Sequence, residues 1–426
     1  MKIRTTVAAG IAVATALALT ACTGGSSSSP GTSSGDGKIS GNISFQTWSL
    51  KNDKFTPYFE GVVKAFEKEH PGVKVNWIDQ PGDGYEDKIL QQAGSGELPD
   101  VVNLPPEYAY SLASSGQLVD LKKDSKVLGD YLEGGVGAYK FDGIDGSFGF
   151  PWYLGTELNY WNKDLLAKGG VAKAPATFED TLDAAAKLAA SGVATMSSVP
   201  SPKMLQIVGA TDAIYKDGKF VFNTPKAAAV IDRYAKLYKA GAITAQALQV
   251  AGTEGSNVNI FNTGGVVWTT AGPNYIDKDV AVNAPNLLPA VDVTNGFGNP
   301  PLFVQGISVS KKSKNSAAAM AFAEFVTNTS NQIAFVKLAA GFFPGTKAAN
   351  ADPAAFAGTP INELQKAATS LAAKQMANAK MTGAPQYTEA METYAKQQIA
   401  LAVTGEISGK EALDKAVQYA QQNVAK

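Results

Sequence analysis

Between Ile43 and Leu104 the hydrophobic spacing changes period again and again, and this limits the fold more than any compositional figure. Ile43-Ser-Phe45-Gln-Thr47-Trp48 alternates as a strand does. Thr56-Pro57 then opens a helix, with proline at its first position. Phe59, Val62, Val63 and Phe66 follow at i, i+3, i+4 and i+7, the stripe of a helix facing a core. Pro71-Gly72 stops that helix, and Val73 to Ile78 forms a second strand. A second helix spans about Tyr85 to Gln92 and ends at Gly94 or Gly96. Asp100-Val-Val-Asn-Leu104 is a short apolar run fit for a buried parallel strand. This order predicts an α/β lobe with a largely parallel sheet. Helices dominate the later chain. One starts at Thr224-Pro225 and carries Val230, Ile231, Tyr234, Leu237 and Tyr238, and another starts at Asn315 with Phe322, Phe325 and Val326.

The first forty residues have a separate character. Lys2 and Arg4 precede an apolar run from Val7 to Leu19, too short for a permanent membrane span. The run ends at Leu19-Thr20-Ala21-Cys22, and Cys22 is the only cysteine. Thr23 to Gly41 is almost entirely Gly, Ser, Thr, Asp and Pro. The pattern resembles a bacterial lipoprotein signal, the alternative being an ordinary secretory signal with a chance cysteine. The resemblance implies cleavage after residue 21 and lipid on the Cys22 thiol. Residues 22–41 are then a flexible tether with a reach of roughly 25 Å. The folded part, from near Asn42, is expected at the extracellular face of a cell membrane, lipid-anchored, in a Gram-positive bacterium.

Composition excludes several classes. Removing a 21-residue signal from 426 residues leaves 405, enough for two lobes. Without Lys2 and Arg4, 35 basic residues stand against 38 acidic ones, a net charge of about −3, so nothing attracts nucleic acid. One histidine, His70, excludes multi-histidine zinc sites and His-pair chemistry, and it sits at a helix C-terminus before Pro71-Gly72. Beyond the signal the only arginine is Arg233. A site built without that planar fork suits a neutral ligand. No Walker A, Gly-x-Ser-x-Gly or calcium-loop spacing is present.

The order of short segments across nearly the whole chain resembles one family. The segments include Ala65-Phe-Glu-Lys-Glu-His-Pro-Gly-Val-Lys-Val75, Gly96-Glu-Leu-Pro-Asp-Val-Val102, Phe150-Pro-Trp152, Asn159-Tyr-Trp-Asn-Lys-Asp-Leu165, Phe261-Asn-Thr-Gly-Gly265 and Gly272-Pro273. They resemble an extracellular solute-binding protein of the carbohydrate ABC-importer type, related to maltose-binding proteins. The resemblance implies a two-lobed α/β periplasmic-binding-protein type II fold, with ligand closed between the lobes. One lobe would comprise residues 42–150 plus about 305–355, the other 151–304 plus about 356–426, with crossings near Pro151, near Val304 and around Asp352 to Gly358. It also implies a monomer that hands a sugar or oligosaccharide to membrane permease subunits served by a separate ATPase, with no cofactor, no metal and no catalysis.

Sugars present C–H patches ringed by hydroxyls, so their sites need aromatic faces and neutral or acidic partners. The aromatic candidates are Trp48, Tyr85, Tyr108, Trp152, Tyr153, Trp268, Tyr275, Phe303 and the Phe342-Phe343 pair, with Phe343 preferred. Among them Trp48, Trp152, Trp268 and Phe343 are the expected stacking rings, because each follows a strand end or crossing. The polar candidates are Asp83, Asn103, Glu107, Glu157, Asn274 and Gln305. By the resemblance, Glu107 falls where the family often places a hydroxyl-binding carboxylate, and Asn274 where maltose-binding proteins carry a stacking tryptophan. That departure leaves the sugar open. Two alternatives remain: a polyamine or oligopeptide binder on the same fold, or a secreted glycoside hydrolase using Glu107 and Glu157.

Overall fold

The computed structural model describes residues 39–249 and 256–424. The signal and Cys22 lie outside the described residues. The strands, in chain order, are β1 (Gly41–Trp48), β2 (Val73–Gln80), β3 (Val101–Leu104), β4 (Phe150–Gly155), β5 (Leu158–Asn162), β6 (Tyr215–Lys216), β7 (Lys219–Phe220), β8 (Trp268–Ala271), β9 (Val291–Thr294), β10 (Phe303–Val309) and β11 (Phe343–Pro344). They form a six-stranded sheet in the order β11-β4-β10-β3-β1-β2, a three-stranded sheet β8-β5-β9 and the small hairpin β6-β7.

The opening strands and helices take the places the periodicity predicts. β1 pairs in parallel with β2 from Gly41–Val73 to Trp48–Gln80, and with β3 at Phe45–Val101. The helices Thr56–Glu69 and Tyr85–Ser95 make the crossovers. The second ends on Gly96 at φ +76°, a left-handed cap that glycine adopts without strain. All four residues of β3 are buried, as its unbroken apolar run requires. β10 lies antiparallel between β3 and β4.

The expected tether ends too late. Ile39 already packs on the core, and Gly41 opens β1 by donating its N–H to Gly72 O at 2.9 Å. Gly41 has φ +119°, and a side chain there would collide with Asn315. The residue is glycine because the strand start demands it, although its composition matches the linker before it.

Pro151, near which the first crossing is expected, still lies on the large sheet. It stands inside β4, opposite the register shift between Gln305 and Gly306, a place where a strand tolerates proline. The chain leaves the large sheet after Gly155 and enters β5 of the small sheet at Leu158, passing through Thr156-Glu157. It returns between β9 and β10.

Behind the large sheet, Phe45, Phe59, Phe66, Phe322 and Phe335 form an aromatic core, with ring centroids 5.1 Å apart for Phe66–Phe322 and 5.2 Å for Phe45–Phe322. A second core gathers Trp161, Phe178, Leu182, Tyr234, Ile399 and Leu413. Arg233 lies outside it, on the surface of the helix Pro225–Lys239, paired with Glu179 and Asp183. No helix among the described residues is long and apolar enough to cross a membrane.

Candidate functional site

One edge of the six-stranded sheet collects the ends of all its strands. β1, β2, β3 and β4 finish there at Trp48, Gln80, Leu104 and Gly155, while β10 and β11, running the other way, begin there at Phe303 and Phe343. Read in sheet order, the edge presents Phe342, Gly155, Phe303, the turn from Leu104 to Glu107, Trp48, and the turn to Asp83. Open α/β sheets bind ligands outside such strand ends.

Phe303 is the register partner of Gly155, and Phe343 that of Leu154, so Phe342 falls beside Gly155 on its other flank. A Cβ built on Gly155 would stand 3.5 Å from the Phe342 ring and 3.6 Å from Phe303 Cβ. The Phe342 ring and Phe303 Cβ therefore stand within about 7 Å of each other, over a residue that holds no side chain. They are 48% and 40% exposed, and no other ring is among the exposed large hydrophobics of the described residues.

Each phenylalanine also walls a cavity. Phe303 lines a pocket of about 250 Å³ with Glu107 and Gln305 from the large-sheet side and Lys203, Met381 and Thr382 from the other. Phe342 lines a smaller cavity of about 70 Å³ with Asn274, Asp277, Phe343, Phe356 and Gln365.

The floor of the larger pocket is fixed from below. Tyr85 hydroxyl donates to Asn103 O at 3.0 Å, and Trp48 stacks on the Tyr85 ring at 5.7 Å. Asn103 Nδ2 donates in turn to Gln305 Oε1 and Gly306 O. Burial pushes the Tyr85 hydroxyl well above its ordinary pKa, so it stays a donor. Tyr108 is raised by burial and then by the charges of Glu86, Glu107 and Glu389. Glu389 heads the helix Glu389–Thr404, so this charge comes from a late stretch of chain and those of Glu86 and Glu107 from an early one.

A sequence-family model described as bacterial extracellular solute-binding protein matches residues 61–367. The chain belongs to this family. A galactooligosaccharide-binding protein of Bacillus subtilis (strain 168) is 28% identical over 291 residues, 63% of this chain and 65% of that protein. A maltooligosaccharide ABC transporter solute-binding lipoprotein of Streptococcus pneumoniae (serotype 4, strain ATCC BAA-334 / TIGR4) is 35% identical over 131 residues, 30% of this chain and 28% of that one. The matched stretch spans 58% of the length of three Brucella proteins. The fold is shared with the sugar-binding protein MalE of Xanthomonas citri, at a TM-score of 0.71 and 19% identity, covering 90% of this chain and 97% of that one. Two α/β lobes with a cleft between them are thus the architecture of this solute-binding protein.

Within that architecture the sequence-predicted residues divide. Glu107, Phe303 and Gln305 come together in the larger pocket, and Asn274 lines the smaller one. Tyr108 is half-buried beside Tyr85. Asn103 and Tyr85 are buried and support the floor. Trp48 is half-buried and Asp83 is exposed at the far end of the edge.

Three of the four rings expected to stack on ligand are core. Trp152 is fully buried, with its ring 4.5 Å from Phe335 and 5.8 Å from Phe59. Trp268 is buried in the second core, where its Nε1 donates to Asn159 Oδ1 at 3.0 Å. Phe343 is buried against Phe356. Side chains alternate along a strand, so the exposed ring of the Phe342-Phe343 pair is the neighbour of the one chosen. Tyr275 is also buried, 4.8 Å from Tyr160, and Tyr153 is half-buried against Phe342 and Phe335. Gly155, Lys203, Asp277 and Gln365 were not among the expected site residues, and Phe342 was expected only as the less favoured half of its pair. Phe342 alone carried a signal, as half of an aromatic pair next to a strand.

Proposed function

We propose that this protein captures a sugar or oligosaccharide in the cleft between its lobes and delivers it to the permease of an ABC importer. The observation that carries the reading is the Phe303–Gly155–Phe342 row. Two exposed rings flank a side-chain-free slot at the point where the chain passes between lobes. An apolar sugar face lies against such rings, while Glu107 and Gln305 accept its hydroxyls. The names of the B. subtilis and S. pneumoniae relatives point the same way.

The lobes in this reading are residues 39–155 plus about 303–355, and 156–302 plus about 356–424. Ligand touches both only when they close, so its differential affinity shifts the population toward the closed form. That form, a monomer, docks on the permease, and the protein performs no chemistry. Lipid on Cys22 holds it at the outer face of the membrane.

An amine solute is the second reading, favoured by the carboxylates of Glu86, Glu107 and Glu389 around Tyr108. Thermal shift against linear oligosaccharides, monosaccharides, polyamines and oligopeptides decides. A bound ligand at 100 times its Kd adds about 2.7 kcal/mol to stability and raises the melting temperature. Saccharides are expected to do so. A response to polyamines or peptides with none to any saccharide overturns the sugar reading.

A further inference from the structure

Two residues that line the cavity of about 70 Å³ beside Phe342 each carry a buried acceptor with no donor among the described residues. The first is Gln365 Oε1. Gln365 is 8% exposed, and its Nε2 donates to Pro273 O at 2.9 Å and to Thr369 Oγ1 at 3.3 Å. Those bonds fix the orientation of the amide and leave Oε1 without a donor among the described residues. The second is Asp277 Oδ1, also buried and without a donor. The other oxygen of Asp277 pairs with Lys278 at 2.9 Å, so the carboxylate is already balanced by a cation. A buried acceptor left unpaired costs about 1–3 kcal/mol, and both residues line one cavity, so donors that enter it can relieve that cost.

The remaining walls say which donors. Phe342, Phe343, Phe356 and Val336 make the cavity apolar around its two acceptors. Because Lys278 neutralises Asp277, neutral O–H donors suit it better than a cation. At roughly 10–15 Å³ per water the space holds a few water-sized groups, enough for hydroxyl or hydroxymethyl substituents but not a whole sugar ring. The cavity adjoins the aromatic row through one residue: Phe342 belongs to both, and Phe303, at the other end of the row, walls the Glu107 pocket.

We propose that the Gln365–Asp277 cavity takes the terminal hydroxyl groups of a saccharide chain that lies across Phe342, Gly155 and Phe303 and reaches Glu107. The ligand is then a linear oligosaccharide and not a monosaccharide. The inference rests on the sugar reading above and adds chain length and the seat of one chain end.

Titration calorimetry with a linear series from mono- to tetrasaccharide tests it on the wild-type protein, Gln365→Met and Ala340→Leu. Met removes the acceptor. Leu at Ala340, which also lines the cavity, fills the space and leaves every Gln365 hydrogen bond in place. Wild-type affinity is expected to rise with chain length. Both variants are expected to lose about tenfold on the longest ligand, the worth of about one hydrogen bond, and to bind the shortest as the wild type does. A monosaccharide bound as tightly as the tetrasaccharide overturns the proposal, as does an Ala340→Leu loss that is equal at every length. A wild-type protein that binds no saccharide at all overturns the sugar reading itself, and the subsite with it.

Discussion

Asn103 Nδ2 donates to Gln305 Oε1 at 3.1 Å and to Gly306 O at 3.0 Å, tying β3 to β10 directly beneath the cleft. Asn103 is fully buried. Asn103→Leu keeps the approximate volume and strands both acceptors, which costs about 1–3 kcal/mol. Urea unfolding is expected to show that loss. Gln305, no longer held, should also bind saccharide more weakly. An Asn103→Leu protein of wild-type stability would mean that the pair contributes nothing.

Trp152 and Phe303 separate core from cleft. Trp152→Ala should cost about 3–5 kcal/mol of stability, the ordinary price of a buried aromatic. Phe303→Ala should change stability by no more than about 0.5 kcal/mol, since half the ring faces solvent. Its effect belongs to binding, a loss of about 1–3 kcal/mol or roughly tenfold to hundredfold in affinity. Melting and titration on the same two variants check both halves. Exchanged outcomes would reverse the assignment of faces.

Gly155→Val tests the empty slot. A Cβ at this position meets only ordinary contacts, and the residue lies in extended strand. The variant should melt within a few degrees of the wild type. The branched side chain would stand between Phe303 and Phe342 and block a ligand from lying across them, so saccharide binding should fall by at least tenfold, or about 1.4 kcal/mol. Unchanged affinity would show that ligand does not cross the row.

Glu86 gives a pH signature. Burial, and then the charges of Asp87 and Glu107, hold its carboxyl above the ordinary glutamate range. The ionised form is therefore disfavoured in the fold. Stability from this group is fully present below the unfolded value of about 4.3 and is lost as pH rises through the higher folded value. Glu86→Gln removes that penalty. The variant should melt higher than the wild type at neutral pH, and the gap should close as pH falls to about 4. A variant that melts lower at neutral pH would contradict the direction of the shift.

Cys22→Ala should release the protein from membranes into the medium and leave the melting temperature of the folded part unchanged. Fractionation of cells expressing the variant reads this directly. Retention with membranes would show that something other than Cys22 holds it.

The first three strands and their helices were legible because period two and period 3.6 alternate cleanly between Ile43 and Leu104. Glu107, Phe303 and Gln305 were legible as polar and aromatic residues at strand ends. The choices that failed were choices between neighbours. Phe342 and Phe343 have the same chemistry, and only the pairing of Phe343 with Leu154 decides which ring is buried. Trp268 looked like a stacking ring because the sequence places it after a strand end or crossing, but it begins β8 and its indole N–H is claimed by Asn159 on β5. Gln365 and Asp277 gave no signal, since each matters through a donor it lacks, and a missing donor is visible only in three dimensions.

The edge that carries Trp48, Glu107, Gly155, Phe303 and Phe342 draws each of them from a different stretch of chain. No two depend on the same turn, and the packed layer behind them is shared by all. Replacing one turn alters what the cleft accepts at one position and leaves the other four and the folding core as they were. Such an edge can be altered one turn at a time on a scaffold that stays fixed.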